Sequence, residues 1–359
     1  MINWLSYRSL PSPIRTKKLK AAVITGKGRV ELREYSIPKI GPDEILVHMR
    51  TCGICGTDLE KVAGEQITPP ILGHEVAGVV EKRGENVRGL DLGERVIVHH
   101  HVSCGNCTFC KNGLETLCEE FPKSNLDPCG FAEYFRVPAS LIKAGTVYPL
   151  PSNLSFEEGS QVEPTACCIR GLRKTEIRAG SSVVVFGVGP VGLTHVQLLR
   201  LYGVSLIFAV DLIENRRNLA SKLGADFVLD PGMNALQTIL KQTNNQGVDY
   251  AVVATGNPKA LESAIGIVRK GGRVLLFGAP PRGSLLSLDV SRLFLREITL
   301  QSSYSTSELE MKMSLELVGQ RRIDTARMIT HRLPLDKLLD AFHVAQNGKA
   351  AGKIIVTNT

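Results

Sequence analysis

Four cysteines stand within fifteen residues, Cys104, Cys107, Cys110 and Cys118, spaced C-x2-C-x2-C-x7-C. Thiolates this close can wrap one tetrahedral zinc, and a closed shell of four sulfurs is structural because it leaves no position for a reactant. Zinc ribbons that grip nucleic acid use two C-x-x-C pairs across a longer loop, so the lobe reads as a metal-stapled loop. A second group is scattered: Cys55 in Gly53-Ile54-Cys55-Gly56-Thr57-Asp58, His74 and Glu75 in Gly73-His74-Glu75, and Glu163 in Val162-Glu163-Pro164. One thiolate, one imidazole and one or two carboxylates make the open, mixed set that a catalytic zinc requires. Taken singly, each reads as readily as a core thiol, a satisfied histidine or a surface acid.

The third constellation is Gly187-Val188-Gly189-Pro190-Val191-Gly192, a G-x-G-x-x-G run directly after an apolar stretch and before a helical one. In that position Gly187 permits a tight turn, Gly189 lets the backbone approach a pyrophosphate, and Gly192 lets helix and strand pack closely. The helix that opens at Pro190 offers unpaired N–H groups to phosphate. Asp211 ends the next apolar run, 19 residues past Gly192, where a carboxylate accepts hydrogen bonds from the adenosine ribose and repels a 2′-phosphate. NAD is therefore expected over NADP, although Arg216 and Arg217 close by leave NADP open.

These residues need a scaffold, and the sequence outlines one in two textures. Residues 19–150 read as short strands punctuated by Gly and Pro, among them Lys20–Thr25, Glu44–Met49 and Val76–Glu81. From Gly180 the chain alternates apolar runs with helical spacing: Ser182–Phe186, a helix through Leu201, Leu206–Val210, Glu214–Leu223, Asp249–Ala254, Lys259–Arg269 and Arg273–Phe277. That alternation marks a doubly wound parallel sheet. The expected division is a basic extension at 1–18, a partly β catalytic domain from 19–165 and 305–359 with the cysteine lobe at about 100–120, and a dinucleotide domain at 166–304. Helices and a short strand, Lys353–Val356, close the chain.

With GICGTD, GHEVAGVV, the four-cysteine lobe, VEP and VFGVGPVG in this order, the sequence resembles a zinc-containing medium-chain dehydrogenase of the sorbitol, threonine and archaeal glucose dehydrogenase branches. The resemblance spans nearly everything from Leu19 onward and implies an α/β fold, a Rossmann sheet plus a GroES-like domain. It implies a structural zinc on the lobe and a catalytic zinc on Cys55, His74 and Glu75 or Glu163. It also implies oxidation of a secondary alcohol: zinc acidifies the hydroxyl and a hydride passes to the nicotinamide. Thr57 is then the first proton relay. Relatives often carry histidine three residues further on, where this chain has Glu60, so Glu60 or water takes the outer relay. A dimer or tetramer is implied too.

The substrate reading rests on Ser302-Ser303-Tyr304-Ser305, where sorbitol- and threonine-type relatives tend to place an arginine and this chain has none. A hydroxyl-rich wall suits a neutral polyol, cyclitol or sugar. A threonine-type amino-alcohol dehydrogenase is the alternative, with Arg136 as one possible carboxylate partner. Cys52, Cys129, Cys167 and Cys168 match no ligand position and are expected in the core. His99-His100-His101 is expected to run up a strand into the lobe, alternating faces, so that at most one or two imidazoles reach the active cleft, without binding metal. A zinc-free reductase has no need of these ligands, and a non-catalytic NAD-binding protein should have lost some of them.

Composition bounds the rest. A hydrophobic fraction of 43% and a charged fraction of 22% suit a globular chain, and no apolar run reaches the roughly 18 residues of a membrane helix. The net charge of +8 is not spread over the body: residues 1–30 supply Arg8, Arg15, Lys17, Lys18, Lys20, Lys27 and Arg29 with no acid. Nucleic-acid binding is therefore not expected. That basic segment reads as a solvated extension, with an organelle transit peptide as the lesser reading. Nine cysteines in metal-ligand rather than disulfide spacing point to a reducing, cytoplasmic compartment.

Overall fold

The computed structural model describes residues 18–64, 71–348 and 350–358. The basic N-terminal extension, apart from Lys18, lies outside the described residues.

Apolar runs with no alternation require strands covered on both faces, and the second half of the chain builds such a sheet. Six parallel strands stand in the order Phe227–Leu229, Leu206–Val210, Ser182–Phe186, Val248–Val253, Val268–Leu276 and Thr299–Ser302. The chain starts in the middle, winds one way, then returns and winds the other, which leaves a crevice beyond the carboxyl ends at Ser182–Phe186. Helices Pro190–Leu201 and Pro258–Ile267 cover opposite faces, and the central strands are almost wholly buried. The helix expected to reach Arg269 stops at Ile267, because Val268 already pairs with Val248 as the start of a strand.

The other body is a seven-stranded sheet. Ile329–Pro334, Lys353–Thr357, Ile45–Gly53, Glu75–Arg83, Arg95–Val98 and Val147–Pro149 follow in order, and Tyr134–Val137 also pairs with Ile45–Gly53. Here Lys353–Thr357 lies antiparallel beside Ile45–Gly53, with Ile355 opposite Gly53. The final strand is thereby brought next to residues some 300 positions earlier. A hairpin, Lys18–Gly26 with Arg29–Ser36, packs over the same core.

The 14-residue helix Val162–Thr175 joins the two bodies. It packs against the core of the parallel sheet through Val162, Ala166, Ile169 and Leu172, all without measurable exposure. Its buried Arg170 reaches the cysteine lobe, donating to Gly113 O at 3.4 Å and Thr116 Oγ1 at 3.5 Å, and it faces Glu310 at 3.5 Å. No helix among the described residues is long and apolar enough to cross a membrane.

Candidate active site

Cys55 closes the turn before the helix Gly56–Ala63, and His74 and Glu75 stand where the strand Glu75–Arg83 begins. Pairing of Gly53 with Glu75 brings the two segments together. Donor atoms of Cys55, His74 and Glu75 lie within 4.8 Å of one another, so the geometry fits one metal ion. Asp58, fully buried, ties the segments: one carboxylate oxygen accepts the Cys55 N–H at 3.0 Å, the other the Gly73 N–H at 2.9 Å. His74 Nδ1 stands 3.6 Å from the same carboxylate. Burial opposes a charge on each member, yet each stabilises the other, so Asp58 is held below the usual carboxylate range and His74 well above the usual imidazole one.

Glu75 is also buried, and the ammonium of Lys353 donates to it from the final strand. Burial disfavours the charged lysine, but Glu75, with Cys55 beside it, outweighs that and raises its pKa. Glu163 is buried in the first turn of its helix, where it accepts a hydrogen bond from Cys167 at 3.4 Å. Burial raises its pKa. Neither Asp58 nor Lys353 was singled out by sequence reasoning. Asp58 could have been, as a carboxylate three residues after a candidate ligand; nothing in the sequence links Lys353 to Glu75.

The four thiols of the lobe also converge within 4.8 Å. Cys104 Sγ accepts the Cys107 N–H and Cys118 Sγ the Cys104 N–H, both at 3.3 Å. Backbone N–H groups of Asn106 and Cys107 lower the Cys104 pKa to about 6. Such N–H to sulfur bonds favour thiolates, the form a metal needs.

A cleft of about 610 Å³ runs along the carboxyl ends of the parallel sheet, lined by Gly187, Gly189, Pro190, Val191, Asp211 and Arg216 and continuing to Cys55 and Lys353. Gly187 has φ +82°, and a Cβ on Gly192 would lie 2.0 Å from Gly187 O, so neither position admits a side chain. Asp211 accepts the N–H groups of Val188 and Ile213, each at 2.8 Å. Arg216 stands beside it, Nη1 3.8 Å away, and donates to Ala350 O.

A second cavity, about 460 Å³, meets the cleft at Cys55 and Val191 and is walled by Thr57, Glu60, Lys61, His74, Glu163 and Ser302–Ser305. Three sequence expectations need correction here. His99–His101 do not alternate along a strand: regular pairing ends at Val98 and all three imidazoles are buried, although two of them, His100 and His101, do line the cavity, within the one or two expected there. Cys167 is not a core residue; it is half-buried on the cavity wall, whereas Cys52, Cys129 and Cys168 are buried. Arg136 does not reach the cavity, because Glu44 and Asp127 hold its guanidinium elsewhere. Lys61, which sequence reasoning passed over, is the one lysine or arginine on this wall among the described residues, and its ammonium donates to Ile71 O at 2.8 Å.

A cofactor cleft opening onto a donor set that fits a metal defines a metal-assisted dehydrogenase, and comparison with known proteins agrees. Residues 41–152 match the alcohol dehydrogenase GroES-like domain and residues 190–320 the zinc-binding dehydrogenase family. The sequence is 34% identical over 336 residues to L-threonine 3-dehydrogenase of Pyrococcus furiosus, covering 90% of this chain and 94% of that protein. It is 31% identical over 338 residues to sorbitol dehydrogenase of Bacillus subtilis, covering 92% and 94%. A zinc-binding dehydrogenase from Sinorhizobium meliloti, solved with NADP, superposes with a TM-score of 0.85 at 32% identity, covering 96% of this chain and all of that one. The chain belongs to the zinc-containing medium-chain alcohol and polyol dehydrogenases, enzymes that use zinc and NAD(P).

Proposed function

We propose that this enzyme oxidises a secondary alcohol of a neutral polyol, cyclitol or sugar with NAD. The observation that carries the reading is the cavity wall Ser302–Ser305, which offers hydroxyls and no arginine beside the metal-fitting group. In this reading Cys55, His74 and Glu75 or Glu163 hold the catalytic zinc, and Cys104, Cys107, Cys110 and Cys118 the structural one. When bound, the zinc supplies a Lewis acid that acidifies the substrate hydroxyl, and the nicotinamide accepts the hydride.

The chain's own residues do the rest. Asp58 fixes the orientation of His74, and the Lys353 ammonium, donating to Glu75, holds that carboxylate in place. The Thr57 hydroxyl takes the proton from the substrate hydroxyl and passes it outward, with Glu60 on the same wall as the next acceptor. N–H groups at the start of the helix Pro190–Leu201 face the pyrophosphate, and Asp211 takes the ribose hydroxyls, which favours NAD.

Lys61 supports a second reading, an amino-alcohol dehydrogenase of the threonine type, because its ammonium is a partner for a carboxylate. Reduction of NAD by the zinc-loaded enzyme across polyols, sugars and threonine separates the two. Highest kcat/KM for threonine would overturn the neutral-substrate reading.

We also propose that the chain works in the cytoplasm as a homo-oligomer. Thr299–Ser302 is the edge of the parallel sheet, flanked by exposed Leu285, Val290, Phe294 and Leu295. An open edge beside an apolar patch suits a second copy of the same sheet. Sedimentation at micromolar concentration as a monomer would overturn it.

A further inference from the structure

Three buried imidazoles stand in a row, His100 and His101 on the cavity wall and His99 behind them in sequence, and the proposed chemistry uses none of them. His99 is without measurable exposure, and neither of its ring nitrogens has a hydrogen-bond partner. His100 is buried as well, with Nδ1 unpartnered. Buried polar atoms are nearly always satisfied, and an orphaned pair in a native core points to a water or an ion that completes the site. His101 differs: its Nδ1 stands 2.9 Å from Ser124 O, so that ring is already anchored.

A third metal-ligating group lies near these imidazoles. One ring nitrogen of His99, one of His100 and a carboxylate oxygen of Glu163 lie within 4.8 Å of one another. A point equidistant from three atoms at that separation is about 2.8 Å from each, so inward shifts of about 0.7 Å bring all three to zinc–ligand distance. Two imidazoles and a carboxylate are also a donor set that zinc takes in enzymes, with a fourth position left open. Two of the three donors line the cavity, so the open position faces it.

We propose that His99, His100 and Glu163 form an accessory divalent-cation site beside the Cys55–His74–Glu75 group. The two donor sets adjoin: the ring of His100 lies 4.9 Å from that of His74, centroid to centroid. Glu75 completes the thiolate-containing set, which frees Glu163 to serve the second ion or to bridge the two. The accessory ion offers the cavity an oxygen-binding position next to the one that reacts. This goes beyond the proposed function, and its test needs no substrate.

Full-length protein is stripped with chelator, reloaded with cobalt(II) and analysed for metal per chain together with its absorption spectrum. The wild type should take up three equivalents: two with thiolate-to-cobalt charge-transfer bands, from the lobe and from Cys55, and one without, because the accessory site has no sulfur. His99→Phe and His99→Gln should each lose the sulfur-free equivalent, weakening it by more than about 100-fold, beyond what remote changes to a metal site cost. Both should keep the charge-transfer bands and a wild-type melting temperature in the presence of zinc. His99→Gln covers the case in which His99→Phe does not fold. A wild type that saturates at two equivalents overturns the proposal and leaves ordered water as the partner of His99. Retention of three equivalents by the His99 variants overturns it too, as does loss of a charge-transfer band along with the third ion.

Discussion

Replacing Lys353 by methionine removes one half of an ion pair in which both side chains are buried, 2% exposed for Lys353 and 0% for Glu75. Methionine keeps much of the aliphatic volume, so the change acts mainly on charge. Stripping one partner from a buried pair costs about 3–5 kcal/mol, since the survivor stays desolvated and uncompensated. Each kcal/mol moves the melting temperature of a domain of this size class by about 2–4 °C, so the metal-free variant should melt about 6–20 °C lower. Under the proposed assignment, a zinc held at Cys55, His74 and Glu75 would bring a dication to the same carboxylate, and the loss should shrink in the zinc-loaded protein. The double change Lys353→Met with Glu75→Gln removes both charges and should recover most of the metal-free stability. Thermal unfolding of wild type, single and double variants, with and without zinc, tests the whole cycle. A metal-free Lys353→Met within about 2 °C of wild type, or a double variant no more stable than the single one, would refute the reasoning.

Thr57→Val should lower kcat by about 10²–10⁴-fold with zinc content unchanged, as loss of a proton-transfer group does; a loss under tenfold would place the relay elsewhere. Asp211→Ser should raise the KM for NAD about 10–100-fold, the worth of a charged hydrogen bond to the ribose, and improve use of NADP; unchanged discrimination would remove Asp211 from cofactor choice. Because Asp58 and Cys55 hold the His74 pKa well above its usual value, protons compete with zinc for this site. Zinc affinity, read from equilibrium dialysis, should therefore fall as pH falls, and a pH-independent affinity would contradict the assignment of His74.

The cofactor glycines and the cysteine lobe were legible because each carries a local signature, a turn requirement or a donor type at fixed spacing. Cys55, His74, Glu75 and Glu163 are scattered and were assigned to one metal only through the family resemblance, and the fold brings donor atoms of the first three within 4.8 Å of one another. The parallel sheet was legible from its uninterrupted apolar runs. Thr299–Ser302 was not read as a strand, because an exposed sheet edge shows no apolar run, and Ile329–Pro334 mixes polar residues with a terminal proline. Lys353 was read only as part of a strand: its role depends on register against Ile45–Gly53, and register over some 300 residues leaves no mark on local spacing. His99–His101 misled because a run after β-branched residues reads as continued strand. In the fold, pairing stops at Val98, and the chain turns into the lobe after the His99 N–H bonds to Thr146 O. Cys167 misled in the same way, since four residues after Glu163 on one helix is the same face, and that face borders the cavity.

The central claim is that Cys55 and its neighbours would hold a zinc that acidifies a polyol hydroxyl, so that the proton leaves the oxygen and the carbon bearing it gives a hydride to NAD. The most direct measurement compares NADH formation by zinc-loaded wild type and Cys55→Ala on a panel of polyols and sugars, with NAD binding followed in parallel. The account predicts turnover by the wild type, none by the variant, and NAD binding by both; turnover that survives in Cys55→Ala would contradict it.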